Sequence, residues 1–202
     1  MALPMVHLLV ARRWTKDHPE YASDADFYLG TISPDAIHIR DHDDKSHKNA
    51  IHLNNWTALH PQEVLDYWCD HPTPFDIGYG IHVLTDALWV KERLEKLPQL
   101  NLPDGNLNKE LYYRDTFVTD FALYRAGVKR LFGILEKGRA PKDHPLLTYD
   151  EFTQWQQKVI EAYRGECPKQ GKAAYITCAY ARRFVESCQN ELNSIYGRYE
   201  HE

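Results

Sequence analysis

Thr73-Pro74-Phe75-Asp76-Ile77-Gly78-Tyr79-Gly80-Ile81-His82-Val83-Leu84-Thr85-Asp86-Ala87-Leu88-Trp89 reads as a helix from its first residue. Thr73 offers a side-chain cap, Pro74 falls in the first turn, where its missing N–H is no loss, and an acid follows three residues after the cap. Pro98 closes the run, so a helix is predicted over 73–99. His82 and Asp86 lie four apart and therefore stand on one face, one turn apart. Their neighbours Ile81, Val83, Leu84, Leu88 and Trp89 are strongly apolar, which turns that face inward. Taken alone, the two residues fit either a shared ion or an internal His–Asp hydrogen bond.

The same reading extends outward along the chain. Leu111, Phe117, Phe121, Tyr124, Val128, Leu131 and Leu135 recur near a 3.6-residue period, which predicts one long amphipathic helix over 108–136 stopped by Gly138. Thr148-Tyr149-Asp150-Glu151 is a capping box for a helix to about Tyr163. Residues 172–199 predict a final helix with Tyr175, Cys178, Phe184, Cys188, Leu192 and Tyr196 inward. Pro61 opens another over 59–70. Alternating β-branched runs between turn residues are nearly missing, so the expected class is all-α, a single domain spanning 1–202. Residues 35–55 lose the period and fill with His, Asp, Lys and Asn, which describes a long polar loop, and such loops tend to be functional.

Composition narrows the partners. A chain of 202 residues with 43% hydrophobic and 26% charged side chains can bury its own core without staples. Its net charge of -5 removes the broad positive field that nucleic-acid binders use, so no nucleic-acid partner is expected. Arg12-Arg13 and Arg182-Arg183 are local basic steps able to contact an anion or simply to solvate a helix. Cys69, Cys167, Cys178 and Cys188 show no Cys-x-x-Cys spacing and predict reduced thiols rather than a zinc knuckle or a disulfide frame. No segment approaches the roughly 20 apolar residues of a membrane span. Residues 1–14 place basic residues after a short apolar run, the reverse of a secretory signal, and the expected address is the cytoplasm. Trp56, Trp68, Trp89 and Trp155 fall where core packing accounts for them.

Histidine placement carries the chemistry. Nine of the eleven histidines fall between His7 and His82, and only His144 and His201 come later. Imidazole nitrogen with carboxylate oxygen suits zinc and related divalent ions. Besides His82 and Asp86, three stretches supply such groups. One is Met5-Val6-His7-Leu8-Leu9-Val10. The second is Leu29-Gly30-Thr31-Ile32-Ser33-Pro34-Asp35, where Asp35 also fits plain turn chemistry. The third is Asp43-Asp44-Lys45-Ser46-His47-Lys48-Asn49-Ala50-Ile51-His52, where either His47 or His52 could be a ligand.

In this order the features resemble the zinc-dependent phospholipase C family: an early His, a Leu-Gly-x-Ile-x-Pro-Asp segment, a loop His, and a Gly-Tyr-x-x-His-x-x-x-Asp helix. The likeness covers roughly residues 5–125 and includes Asp120-Phe121-Ala122-Leu123-Tyr124-Arg125, similar to a segment of the smaller bacterial members. The resemblance implies an all-α domain of the phospholipase C / P1 nuclease type that cleaves a phosphate ester with one or two zinc ions. By position, His47, His82 and Asp86 would hold one zinc, and His7 and Asp35 would help hold a second. Asp35 would also orient or deprotonate the attacking water. The family's downstream His and His-x-x-x-Glu pair have no counterpart, because no histidine lies between His82 and His144. Asp115 or Asp120 would stand in, and Asp120 is favoured because it sits in the family-like segment. The implied substrate is a small phosphate ester or a phospholipid headgroup. The alternative is a helical metal-binding or interaction module without catalysis.

Overall fold

The computed structural model describes residues 2–40, 45–56, 58–169 and 171–201, with the backbone alone at 45–46. Thr73 does cap a helix: α6, Pro74–Lys96, whose first turn donates the Asp76 amide to the Thr73 hydroxyl. From Phe75 to Trp89 every residue of α6 is buried, as expected of a helix apolar on all sides. Its companion in the interior is α1, Pro4–Trp14, buried from Pro4 to Ala11 and at Trp14.

α6 packs backbone to backbone against α2, Ala25–Gly30, which Asp24 caps through the Phe27 amide. Glycine on each side permits it. A Cβ on Gly30 would stand 2.0 Å from the Phe75 carbonyl oxygen, and one on Gly78 would stand 2.1 Å from that of Phe27. The backbones therefore touch directly. That contact fixes the segment after α2, the 3-10 turn Ser33–Ala36, against α6.

Around this pair lie α3, Ile37–Arg40, α4, Lys45–Ile51, and α5, Pro61–Asp70. They are followed by α7, Lys109–Arg125, α8, Phe132–Leu135, and α9, Tyr149–Arg164. The chain closes with α10, Cys178–Ser187, and α11, Gln189–Tyr199. One continuous core joins them. Among the described residues there is no strand, only an isolated antiparallel bridge between Asn101 and Leu107, so the class is all-α. No described helix is long and apolar enough to cross a membrane.

Three boundaries differ from the sequence reading. The single helix expected over 108–136 breaks after Arg125, because Gly127 adopts φ +126°, a conformation that favours glycine. Val128, Leu131 and Leu135 still point inward, from a 3-10 turn and α8. The helix expected from 172 begins only at Cys178. The amides of Ala174, Tyr175 and Ile176 are all committed to the Asp115 carboxylate, at 3.0, 2.7 and 3.2 Å. They cannot also enter a helical ladder, and Tyr175 lies exposed instead of inward. The polar loop expected over 35–55 contains α3 and α4, while Asp41 to Asp44 lie outside the described residues. Trp68 and Trp89 are in the core, and Trp56 and Trp155 are half-buried.

Candidate metal centre

Four elements deliver side chains to one interior point. His7 comes from α1, Asp35 from the turn Ser33–Ala36, His52 from the end of α4, and His82 with Asp86 from α6. All five are at least nine-tenths buried. His52 reaches inward because the chain reverses immediately after it. Leu53 and Asn54 take the left-handed conformation, at φ 49° and 56°. Such backbone is costly for leucine and persists only where surroundings enforce it. Asn55 does so, donating to the carbonyls of Leu53 and His60 and accepting the His60 amide at 2.6 Å.

The five groups converge without bonding one another. His7 Nε2 lies 3.4 Å from Asp86 Oδ1. His52 Nε2 is 3.8 Å from Asp35 Oδ1 and 3.7 Å from Asp86 Oδ2, and His82 Nε2 is also 3.7 Å from Asp86 Oδ2. These separations exceed good hydrogen-bond lengths. Both ring nitrogens of His7, Nε2 of His52 and of His82, Oδ1 of Asp35 and Oδ2 of Asp86 are buried with no hydrogen bond among the described residues. So many orphaned polar atoms in one place are costly. One or two cations among them would satisfy one nitrogen or oxygen of each residue, since ligands about 2.0–2.1 Å from a tetrahedral ion sit roughly 3.3 Å apart. Two triads have ligand atoms within 4.8 Å of one another: His7, Asp35 and His82, and His52, His82 and Asp86.

The surrounding groups set the ring orientations. Nδ1 of His82 faces the Thr31 carbonyl at 2.8 Å, and Nδ1 of His52 faces the Lys48 carbonyl at 2.9 Å. A carbonyl only accepts, so each Nδ1 carries the proton and each Nε2 presents a lone pair to the cluster. Burial, reinforced by the positive potential of His7, lowers His82 to about 3, leaving it neutral and able to ligate at pH 7. Burial pushes both carboxyls up, but the positive charge around them outweighs it. The His52 and His82 imidazoles hold Asp35 below its usual range, and His7 and His82 act likewise on Asp86. Asp86 Oδ1 also accepts the Ala2 amide at 2.8 Å.

His47 stands exposed on α4, so it is His52, one turn further along, that joins the cluster. Asp120 belongs to neither triad. Its Oδ2 accepts the Met5 amide at 3.1 Å and the Tyr163 hydroxyl, tying α1 to α7 and α9. Burial raises its carboxyl to about 7. Asp115 is occupied by the three amides of residues 174–176. Two residues escaped the sequence reading altogether. His38 Nε2 lies 3.8 Å from Asp35 Oδ1, and the buried Lys48 Nζ lies 2.9 Å from that same nitrogen. Their spacing, three after Asp35 and four before His52, is the signal that was present.

Arg12, Arg13 and Arg182, from the two basic steps, line one surface groove between α1 and α10. There Arg13 pairs with Glu186 at 2.9 Å. The chain matches no family model, no curated protein and no solved structure.

Proposed function

We propose that this chain is a metal-dependent hydrolase that cleaves a phosphate ester, with His7, Asp35, His52, His82 and Asp86 holding one or two zinc or similar divalent ions. The observation that carries the reading is the convergence of five buried side chains from four separate elements, each offering a nitrogen or oxygen with no hydrogen bond among the described residues. Their chemistry fits the ion: neutral imidazoles supply nitrogen, and two ionised carboxylates supply the charge that offsets the metal's.

When bound, a divalent ion there supplies Lewis acidity and hydroxide-level nucleophilicity at neutral pH. The protein's own groups do the rest. His52 and His82 keep their Nε2 lone pairs inward because carbonyls hold the opposite nitrogens. Asp35, ionised beside the ion, orients the attacking water. Lys48, held 2.9 Å from His38 Nε2 beside Asp35, brings positive charge toward an anionic phosphate and stabilises its developing charge. The helical frame with its centre between α1, α4 and α6 supports a fold of the phospholipase C / P1 nuclease type.

Elemental analysis of protein purified without chelator or metal-binding tag, followed by assay on nitrophenyl phosphate esters, tests the reading. Metal near one or two equivalents with esterase activity is expected, and metal well below one equivalent rejects it. The thorough burial of the five side chains favours, as a second reading, a closed metal module without catalysis. X-ray absorption separates the two: four protein ligands mean a closed structural site, and a retained water means an open one.

A further inference from the structure

A cleft of roughly 450 Å³ lies between α7 and α9, with Phe117, Phe121, Trp155 and Val159 on its walls. It adjoins the metal cluster at two points, and a third lining residue reaches the neighbouring Asp120. His38 lines it and faces Asp35. Leu3 and Pro4 line it directly after Ala2, whose amide binds Asp86. Tyr163 lines it and gives its hydroxyl to Asp120. Lys158 and Glu166 also line it, the remaining walls are aromatic and aliphatic, and Lys48 stands 2.9 Å from His38.

We propose that this cleft holds the alcohol portion of the substrate, an aromatic ring or a single short aliphatic chain esterified to phosphate, with the phosphate at the His38 end. The inference rests on the hydrolase reading of the adjoining cluster. Apolar walls favour an apolar occupant in proportion to the area removed from water. A dry cavity of about 150 Å³ accepts one benzene, so this volume admits a ring with its linker or one chain. The two long acyl chains of a bilayer phospholipid do not fit.

The test compares phenylphosphonate with methylphosphonate on the metal-loaded protein, by calorimetry and by the shift of the Trp155 indole N–H resonance, with metal content measured on the same samples. Phenylphosphonate is expected to bind at least about tenfold more tightly and to move the Trp155 signal. Ala162→Trp fills the cleft from its exposed rim and is expected to erase that preference while metal content stays unchanged. Phe117→Ala, which strips one wall, is expected to reduce the preference severalfold and serves if the first variant misfolds. Equal affinities in metal-bearing protein, or a preference that survives both variants, overturn the subsite and leave the hydrolase reading standing. Stronger competition by a dispersed diacyl phospholipid also overturns it. Absence of metal together with absence of phosphonate binding overturns both.

Discussion

His7 and His82 stack face to face across α1 and α6, with ring centroids 3.8 Å apart and planes 8° from parallel. They straddle one carboxylate: His7 Nε2 faces Oδ1 of Asp86 and His82 Nε2 faces Oδ2. Two imidazolium rings at that distance would repel one another without solvent to screen them. The arrangement is therefore suited to neutral rings, the form that donates a lone pair, and it converts a packing contact between two buried helices into a preset pair of nitrogen ligands.

This geometry separates the two histidines at the ends of α4. His52→Ala, His82→Ala and Asp86→Asn are each expected to lower bound metal by an order of magnitude or more, because each removes an inward ligand atom. His47→Ala is expected to retain the wild-type content. Elemental analysis of the four variants decides it. Loss in His47→Ala with retention in His52→Ala would show that the cluster is not the metal site.

Chelation should weaken the fold itself. Removing an ion from this centre returns its buried ligand atoms to an unpartnered state, and a ligand present at a hundred times its dissociation constant stabilises a protein by about 2.7 kcal/mol. A fall of several degrees in the melting temperature after dialysis against chelator, reversed by added zinc, is the expected result. Identical melting curves with and without chelator would contradict it.

Gly30 and Gly78 carry the site indirectly. Alanine at either position drives a Cβ into a carbonyl oxygen of the facing helix, about 2 Å away, and backbone cannot swing aside as a side chain does. Overpacking of this kind costs about 1–3 kcal/mol and more where nothing yields. Gly30→Ala and Gly78→Ala are expected at or above the upper end in urea denaturation. Metal affinity should fall as well, since α2 leads directly into the turn that holds Asp35. Gly133→Ala, with open space around the added Cβ, is the control and should change little.

The helix bearing His82 and Asp86 was legible because cap, proline and apolar run all agree over 73–89. The capping box at Thr148 and Glu151 was legible for the same reason, and its reciprocal bonds are present. What periodicity could not supply was the backbone detail that competes with it. The inward spacing of Val128, Leu131 and Leu135 survives the break at Gly127, so the pattern alone cannot reveal the break. Asp115 captures three amides from 59 to 61 residues away, a tertiary bond that no local signal announces. The choice between His47 and His52 turned on the left-handed pair Leu53 and Asn54, and leucine is a poor advertisement for positive φ. His38 and Lys48 sit in a polar stretch, where they look like ordinary solvated side chains.

Asp120 gives the fold a pH dependence of definite sign. Burial raises its carboxyl from 3.8 to about 7, against the hydrogen bonds from Tyr163 and Met5. Between those values the folded chain keeps the proton that the unfolded chain has released. Its contribution to stability is thus fully present below about 4 and is lost as pH rises through 7. His82 has the opposite sign: with its pKa lowered from 6.5 to about 3, its contribution is present above 6.5 and lost as pH falls. Wild-type stability alone mixes the two trends, so the informative quantity is the difference between wild type and Asp120→Asn, in which His82 cancels. Asparagine can still accept the Tyr163 and Met5 bonds through its carbonyl oxygen. In chelator-treated protein the variant should gain on wild type by at least about 2 kcal/mol between pH 4.5 and pH 8, since each pKa unit corresponds to about 1.4 kcal/mol. Parallel urea midpoints for the two proteins across that range would mean that Asp120 titrates as an ordinary carboxylate, and that its buried oxygen finds solvent.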